Sequence, residues 1–150
     1  MSMQKRKTFL AKLIARINRK EWWHVPPRDR SAYRKRGKFL ASSFREAEFW
    51  GRPQDATERV AITRPLIGDE AEIEKALFGR CISHEDLTAK ERWTLDAKMK
   101  RAALRKGYDS IALLTTRSLR QLTKHGRIPR SIELNVVDLR CLRNTRRNSS

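Results

Sequence analysis

The spacing of apolar residues at the start of the chain predicts an amphipathic helix over residues 4–20. Five apolar side chains recur at helical intervals: Phe9, Leu10, Leu13, Ile14 and Ile17. Lysines and arginines occupy the positions between them, so one face is apolar and the other is cationic. We expect the apolar face to dock on the rest of the protein. A transit peptide or a membrane-surface helix is the alternative, but the segment is short and continues directly into a predicted strand.

Short apolar runs bounded by prolines, glycines and polar turns predict the strands that follow. These strands are 21–25, 38–41, 59–63, 110–114 and 132–139, with an extended segment at 66–68. Three further helices are predicted from N-cap residues and helical apolar spacing: from Ser42 or Ser43 to Gly51, from Asp69 through Phe78, and from Ser83 to Arg105. This order of elements predicts an α+β fold in which antiparallel strands form a small split sheet around a cleft, with flanking helices.

The composition is typical of a folded protein with one domain. The 150 residues include 35% charged side chains, but four tryptophans and five phenylalanines supply bulky apolar groups that disordered chains lack. The two cysteines, Cys81 and Cys141, follow no motif and are expected to be reduced, buried thiols. No apolar run reaches the length of a membrane span, so we expect a cytoplasmic protein without a membrane partner. Residues 144–150 are expected to form a disordered basic tail.

Basic residues are concentrated at both ends of the chain. The formal net charge is +18; residues 1–36 carry twelve lysines and arginines against two acids, and residues 101–150 carry twelve against three. Residues 37–100 are almost neutral, with eleven basic and twelve acidic residues. Such a charge distribution favours nucleic acid or an acidic protein surface as partner. Solvated tails that bind nucleic acid only loosely are the alternative.

One carboxylate stands alone in the last predicted strand. Glu133 is flanked by apolar residues, and the connection before it, residues 115–130, contains six basic residues or histidines and no acid. A glutamate in such a place is often the solvent-facing residue of a half-buried strand. Its isolation behind a cationic connection also makes it a candidate catalytic group.

Three blocks of the sequence, taken in order, resemble small bacterial and phage ADP-ribosyltransferase domains. The segment Gly107–Ile111, a basic loop, and then Glu133 with Asp138 five residues later resemble the family's C-terminal block. Residues 37–51 are similar to its Gly-x-Phe-x-x-Ser strand and the helix that follows, and residues 22–24 to the strand that ends on its NAD-binding histidine. The three blocks cover most of the chain from residue 21 to residue 143, which we treat as one domain after the N-terminal helix of residues 1–20.

The resemblance implies a role for each matching position. Glu133 is the implied catalytic carboxylate, and NAD is the implied substrate, bound in a cleft of the split sheet. His24 is implied to hold the adenine-side ribose, and Ser42 or Ser43 to position the nicotinamide ribose. Phe49 or Trp50 is implied to pack on nicotinamide, and no metal is required.

Two positions depart from the family pattern. Val25-Pro26 follows His24 where the family has glycine and a small hydroxyl residue, and Phe49 stands in place of a tyrosine. A locally hydrogen-bonded strand histidine and a core aromatic residue are therefore the alternatives for His24 and Phe49. The two departures also leave open a second class of function, a non-catalytic basic module that retains the fold and binds nucleic acid or protein.

The residues that precede Glu133 indicate the kind of acceptor to which ADP-ribose would be transferred. Family members that modify arginine have an acid two residues before the catalytic glutamate, and Ser131 occupies that position here, which disfavours an arginine acceptor. The basic connection lies where the family recognises its target. Its candidate target-binding residues are Arg117, Arg120, Lys124 and Arg127.

The sequence predicts no metal site. Cys81 and His84 have a spacing that metal ligands can have, but no second pair follows at zinc-site spacing.

Overall fold

The computed structural model describes residues 3–82 and 84–143. The helices are α1 (Met3–Arg19), α2 (Ala32–Arg36), α3 (Phe44–Glu48), α4 (Glu70–Phe78), α5 (Ala89–Arg105) and α6 (Thr116–His125), with a 3-10 turn at Leu139–Cys141. The strands are β1 (Lys38–Ala41), β2 (Arg59–Val60), β3 (Pro65–Gly68), β4 (Ser110–Leu113), β5 (Glu133–Val136) and β6 (Leu142–Arg143).

The main sheet has four strands in the order β1-β5-β4-β3, and β2 and β6 form a separate antiparallel pair. The protein combines helices with a mixed sheet, which is compatible with the predicted α+β class. The expectation that all strands pair antiparallel was wrong for β3 and β4, which are parallel. The chain between these two strands forms α4 and α5, and a connection of that length lets the second strand run in the same direction as the first.

Each face of the main sheet covers its own apolar cluster. Strand residues alternate between the faces, so Leu134 and Ala112 belong to a cluster that includes Leu13 of α1 and Leu122 of α6. Ile111 and its neighbours on the other face pack with residues of α4 and α5. The sheet therefore separates a layer formed by α1 and α6 from a layer formed by α4 and α5.

The N-terminal helix docks on the protein, as its apolar spacing predicted. Leu13 and Ile17 are fully buried beside Trp22, whose indole Nε1–H donates a hydrogen bond of 3.0 Å to the Ile17 carbonyl. Complete burial of such side chains contributes roughly 1.5–3 kcal/mol each. Helix α1 therefore forms part of the core, while the predicted tail of residues 144–150 lies outside the described residues.

The predicted strand 21–25 and the predicted start of the longest helix differ from the structure. The predicted strand 21–25 contributes only two isolated bridges, Trp22 with Glu58 and Trp23 with Ala41, because Pro26 and Pro27 prevent a longer ladder. The helix predicted from Ser83, a residue outside the described part, begins at Ala89. Thr88 forms a capping box with Glu91 there, which fixes the helix start.

Two further expectations concern membranes and cysteines. In the described ranges, no helix has both the length and the apolar character needed to cross a bilayer. Both cysteines are free thiols, but Cys81 is exposed, so its predicted burial was wrong. Burial and the neighbouring Asp109 carboxylate raise the pKa of the Cys141 thiol to about 12, so this thiol stays protonated.

Candidate functional site

Glu133 is the first residue of β5, at one end of the main sheet. It pairs with Ala41 of β1 on one side and with Leu113 of β4 on the other. Since Leu134 points into the α1/α6 layer, Glu133 belongs to the face covered by α4 and α5. The residue is exposed, as expected for a solvent-facing strand glutamate.

The neighbours of Glu133 raise the pKa of its carboxyl group. The largest cause is desolvation of the carboxylate by surrounding protein, and the negative charges of Glu46 and Glu70 act in the same direction. The indole N–H of Trp50 opposes this shift by stabilising the charged form. The surroundings of Glu133 therefore perturb its pKa, and perturbed pKa values are frequent at functional sites.

Ser42 joins the ends of β1 and β5. Its Oγ donates a hydrogen bond of 2.9 Å to the Ile132 carbonyl and accepts one of 2.8 Å from the Ile132 amide. Ser42 is buried, and both hydrogen bonds use its hydroxyl group. The structure thus gives Ser42 a positioning role beside Glu133.

Ser43 is the N-cap of α3. Its Oγ accepts a hydrogen bond of 3.1 Å from the Glu46 amide and lies 3.1 Å from the Glu46 Oε1 atom. The other carboxylate oxygen of Glu46 accepts a hydrogen bond from the Ser131 hydroxyl. The cap therefore fixes Glu46 next to the residue that lies two positions before Glu133.

Two aromatic side chains after α3 are open to solvent. Phe49 is 82% exposed and Trp50 is 65% exposed, and their rings meet edge to face with centroids 5.3 Å apart. The alternative that Phe49 is a core residue was wrong. A pair of exposed aromatic rings beside a carboxylate offers a surface on which a flat, cationic group can pack.

His24 is buried and has a hydrogen-bond partner at each ring nitrogen. Its Nδ1 lies 2.8 Å from the Phe39 carbonyl oxygen, which can only accept, so Nδ1 carries the hydrogen. Its Nε2 therefore accepts the hydrogen bond from the Tyr33 hydroxyl, also 2.8 Å long. Burial lowers the pKa of His24, which keeps the ring neutral. The structure therefore agrees with the alternative for His24, a histidine whose hydrogen bonds are made within the protein.

Cations surround the His24 and Tyr33 pair. The Lys38 ammonium lies 5.1 Å from the centre of the Tyr33 ring and forms an ion pair of 2.5 Å with Glu58. Arg30 is close enough to Tyr33 to favour ionisation of its phenol, although burial and Glu58 raise the Tyr33 pKa overall. At the His24 end one carboxylate, that of Glu58, is thus paired with a cation, whereas several carboxylates lie near Glu133.

The motif Gly107-Tyr108-Asp109 has a structural function that the sequence did not reveal. The Asp109 carboxylate accepts hydrogen bonds from the Thr63 and Arg64 amides at 2.7 and 3.1 Å. Burial alone would raise the pKa of Asp109, but these hydrogen bonds lower it. Gly107 has φ of +90°, a conformation that glycine adopts without strain. The motif therefore fixes the segment before β3 to the start of β4.

The candidate target-binding residues lie on or next to α6. Arg117, Arg120 and Lys124 are exposed on the helix and Arg127 is exposed just after it, while Leu122 is buried on the opposite side. Helix α6 packs on the face of the sheet opposite to the one that carries Glu133. The sheet thus separates these cations from the layer beside Glu133.

A second cluster of ionisable groups was missed by the sequence analysis. His84 Nε2 pairs with the buried Glu74 carboxylate and lies 3.1 Å from Glu70 Oε1. The Ile82 amide donates to the other oxygen of Glu74 at 2.8 Å. Each of the side chains of Glu70, Glu74 and His84 offers a donor atom that could hold a metal ion. The sequence did place Glu70 and Glu74 on one face of a helix. It could not show that the loop after this helix brings His84 back to them.

The chain was compared with family models, with curated proteins and with solved structures. None of the three comparisons finds a match.

Proposed function

We propose that this protein transfers ADP-ribose from NAD to a macromolecular acceptor, a nucleic acid or an acidic protein surface. The observation that carries the proposal is the convergence of the three blocks that resemble ADP-ribosyltransferases. Trp23 bridges to Ala41, Ala41 pairs with Glu133, and the side chain of Trp50 interacts with the Glu133 carboxylate. Residues more than a hundred positions apart in sequence thereby form one end of the sheet.

The sheet arrangement is compatible with the split-sheet architecture that the proposal requires. Trp22 bridges to Glu58, next to β2 in the small sheet, while Trp23 bridges to Ala41 of the main sheet. The segment before His24 therefore links the two sheets. In this proposal the NAD cleft lies at this junction between the sheets.

Glu133 supplies the chemical step in this proposal. Loss of nicotinamide breaks the bond between its ring nitrogen and the ribose, and nicotinamide leaves with the bonding electrons. The ribose carbon becomes cationic, and a carboxylate held nearby lowers the energy of that transition state. The acceptor then forms a bond to this carbon and releases its proton. Arginine stays disfavoured as acceptor because Ser131 replaces the second acid.

The charges along the site fit the two ends of NAD. The Glu133 end has three carboxylates, those of Glu133, Glu46 and Glu70, and exposed aromatic rings, which suit the cationic nicotinamide. The His24 end has the exposed Arg30, which suits a phosphate group, whereas Lys38 there is paired with Glu58. His24 binds the adenine-side ribose in this proposal, in exchange for its hydrogen bond with Tyr33.

The test is transfer of labelled ADP-ribose to RNA, DNA and proteins of a cell lysate. Glu133→Gln should lower the rate by at least about a hundredfold, the size expected for loss of an electrostatic group in the transition state. Glu48→Gln is the matched control, because Glu48 is an exposed glutamate of α3 outside the site. Equal rates for the wild type and Glu133→Gln with every acceptor would refute the proposal.

A second candidate function is a non-catalytic module that binds polyanions. It is favoured by the hydrogen bonds of His24 and Ser42, whose polar atoms are already used within the protein. Calorimetric titration with NAD separates the two functions. Binding of nucleic acid together with no heat of NAD binding supports the second function, and NAD binding that Trp50→Ala weakens supports the first.

A further inference from the structure

The second half of α5 presents a row of cations on one side of the helix. Lys98, Arg101 and Arg105 follow one another at spacings of three and four residues, and all three are exposed. A helix rises 1.5 Å per residue, so this row extends for roughly 10 Å along the helix axis. Lys106, directly after the helix, adds a fourth exposed cation.

These cations line a groove between α4 and α5. The groove has a volume of about 430 Å³, and its apolar wall includes Leu77 and Phe78 from the end of α4. Of the residues that the structure describes, none that lines the groove is acidic. The ion pairs found among residues 3–82 and 84–143 involve none of its four cations. We call this feature the basic groove.

The spacing of the cations has a cost that a ligand would remove. Arg101 and Arg105 are four residues apart on one helix, and like charges in this arrangement repel each other. An anion between them would replace the repulsion with charge-assisted hydrogen bonds. The basic groove therefore fits an anionic ligand better than it fits solvent alone.

The shape and length of the row favour a chain of phosphates over a single one. Cations spread over roughly 10 Å cannot all contact one phosphate group, whereas successive phosphates of an extended strand can follow them. The ring of Phe78 offers an apolar surface beside the cations, and single-stranded nucleic acids use such rings to stack their unpaired bases. A duplex keeps its bases stacked internally and cannot use this ring.

We propose that the basic groove binds single-stranded nucleic acid, with phosphates on Lys98, Arg101 and Arg105 and a base against Phe78. Helices α4 and α5 cover the face of the sheet that carries Glu133, and α1 and α6 cover the other face. If the protein transfers ADP-ribose as proposed above, a strand in this groove lies on the catalytic side of the sheet. Binding itself does not depend on that activity.

The experiment measures the fluorescence anisotropy of a labelled single-stranded RNA as protein is added, over a range of salt concentrations. Arg101→Gln with Arg105→Gln should weaken binding by at least about tenfold and make the logarithmic salt dependence shallower by about 1.4, the value for two phosphate contacts to a single strand. The matched control is Lys12→Gln with Arg16→Gln, an exposed pair with the same spacing on α1. This control should weaken binding less than threefold, the size of a general charge effect.

Three outcomes would overturn the proposal: equal losses in the two double variants, binding of a duplex as tightly as the single strand, and full competition by inorganic phosphate or a mononucleotide at the strand's own concentration. Phe78→Leu keeps an apolar side chain but removes the ring on which a base would stack. It should therefore weaken the binding of the single strand by about tenfold. Circular dichroism of each variant checks that the fold is retained. Failure of ADP-ribose transfer with intact strand binding would refute only the proposed enzymatic function.

Discussion

Ser42 and Ile132, ninety residues apart in sequence, share a pair of hydrogen bonds through a single hydroxyl group. Ser42 Oγ donates to the Ile132 carbonyl at 2.9 Å and accepts from the Ile132 amide at 2.8 Å. This pair continues the contact between β1 and β5 beyond the last backbone pair, Ala41 with Glu133. It therefore fixes the backbone that carries the candidate catalytic glutamate.

We predict that Ser42→Ala destabilises the protein more than Ser43→Ala does. The first change leaves the buried amide and carbonyl of Ile132 without partners, which costs about 1–3 kcal/mol for each group left unpaired. The second change removes an N-cap hydrogen bond of α3, which costs about 1 kcal/mol. Urea denaturation of both variants measures the difference in the free energy of unfolding.

Ser42→Ala should also reduce ADP-ribose transfer at a temperature where the variant is folded, because Glu133 loses its support. If Ser42→Ala keeps wild-type stability, the hydrogen bonds to Ile132 contribute nothing to the fold. Loss of transfer with unchanged stability would instead point to direct contact between Ser42 and NAD.

Asp96 gives a prediction about pH. Desolvation raises the pKa of its carboxyl group to about 6 in the folded protein, against the opposing effect of Arg36, Arg92 and His84. A raised folded-state pKa stabilises the fold fully below pH 3.8, the value for the unfolded chain, and that stabilisation is lost as pH rises through 6. Asp96→Asn should therefore increase stability at pH 7 by about 1–2 kcal/mol, after allowance for solvent screening.

The measurement is the free energy of unfolding at pH 4, 5, 6 and 7 for the wild type and Asp96→Asn. The two curves should be close at pH 4 and separate as pH rises. Asp55→Asn, a change at an exposed acidic residue in a loop, is the control and should leave the curve nearly unchanged. A variant that is less stable than the wild type at pH 7 would show that Asp96 makes net favourable interactions in its charged form.

Tyr33 provides a test of the role of His24. Tyr33→Phe removes the hydroxyl that donates to His24 Nε2, so this nitrogen becomes available to a ligand. If His24 binds the NAD ribose, Tyr33→Phe should keep or increase NAD affinity while lowering stability by about 1 kcal/mol. His24→Asn retains a donor for the Phe39 carbonyl but has no Nε2, so it should weaken NAD binding.

Calorimetric NAD titrations and thermal unfolding of both variants make this comparison. A loss of NAD affinity in Tyr33→Phe would assign the ribose contact to the Tyr33 hydroxyl. Unchanged NAD affinity in a folded His24→Asn protein would mean that His24 is a structural residue only.

The elements set by neighbouring residues could be predicted from the sequence. The apolar spacing of α1 predicted a docked helix, and Leu13 and Ile17 are fully buried. Asp69 was predicted as the cap of α4, and its carboxylate accepts a 2.9 Å hydrogen bond from the Glu72 amide. Helix periodicity and N-caps depend on residues three or four positions apart, so a single sequence contains the information they need.

The tertiary structure decided the partners of each polar group and the direction of the strands. The parallel pairing of β3 with β4 arises from the path of α4 and α5 over the sheet, and no pattern within β3 or β4 specifies it. His24 could be recognised as a strand-end histidine, but its hydrogen bonds to Phe39 and Tyr33 require β1 and α2 to pack beside it. The cluster of Glu70, Glu74 and His84 likewise forms only when the loop after α4 returns. Local sequence determines which residues form helices and strands, whereas burial of the two apolar clusters determines which distant polar atoms meet.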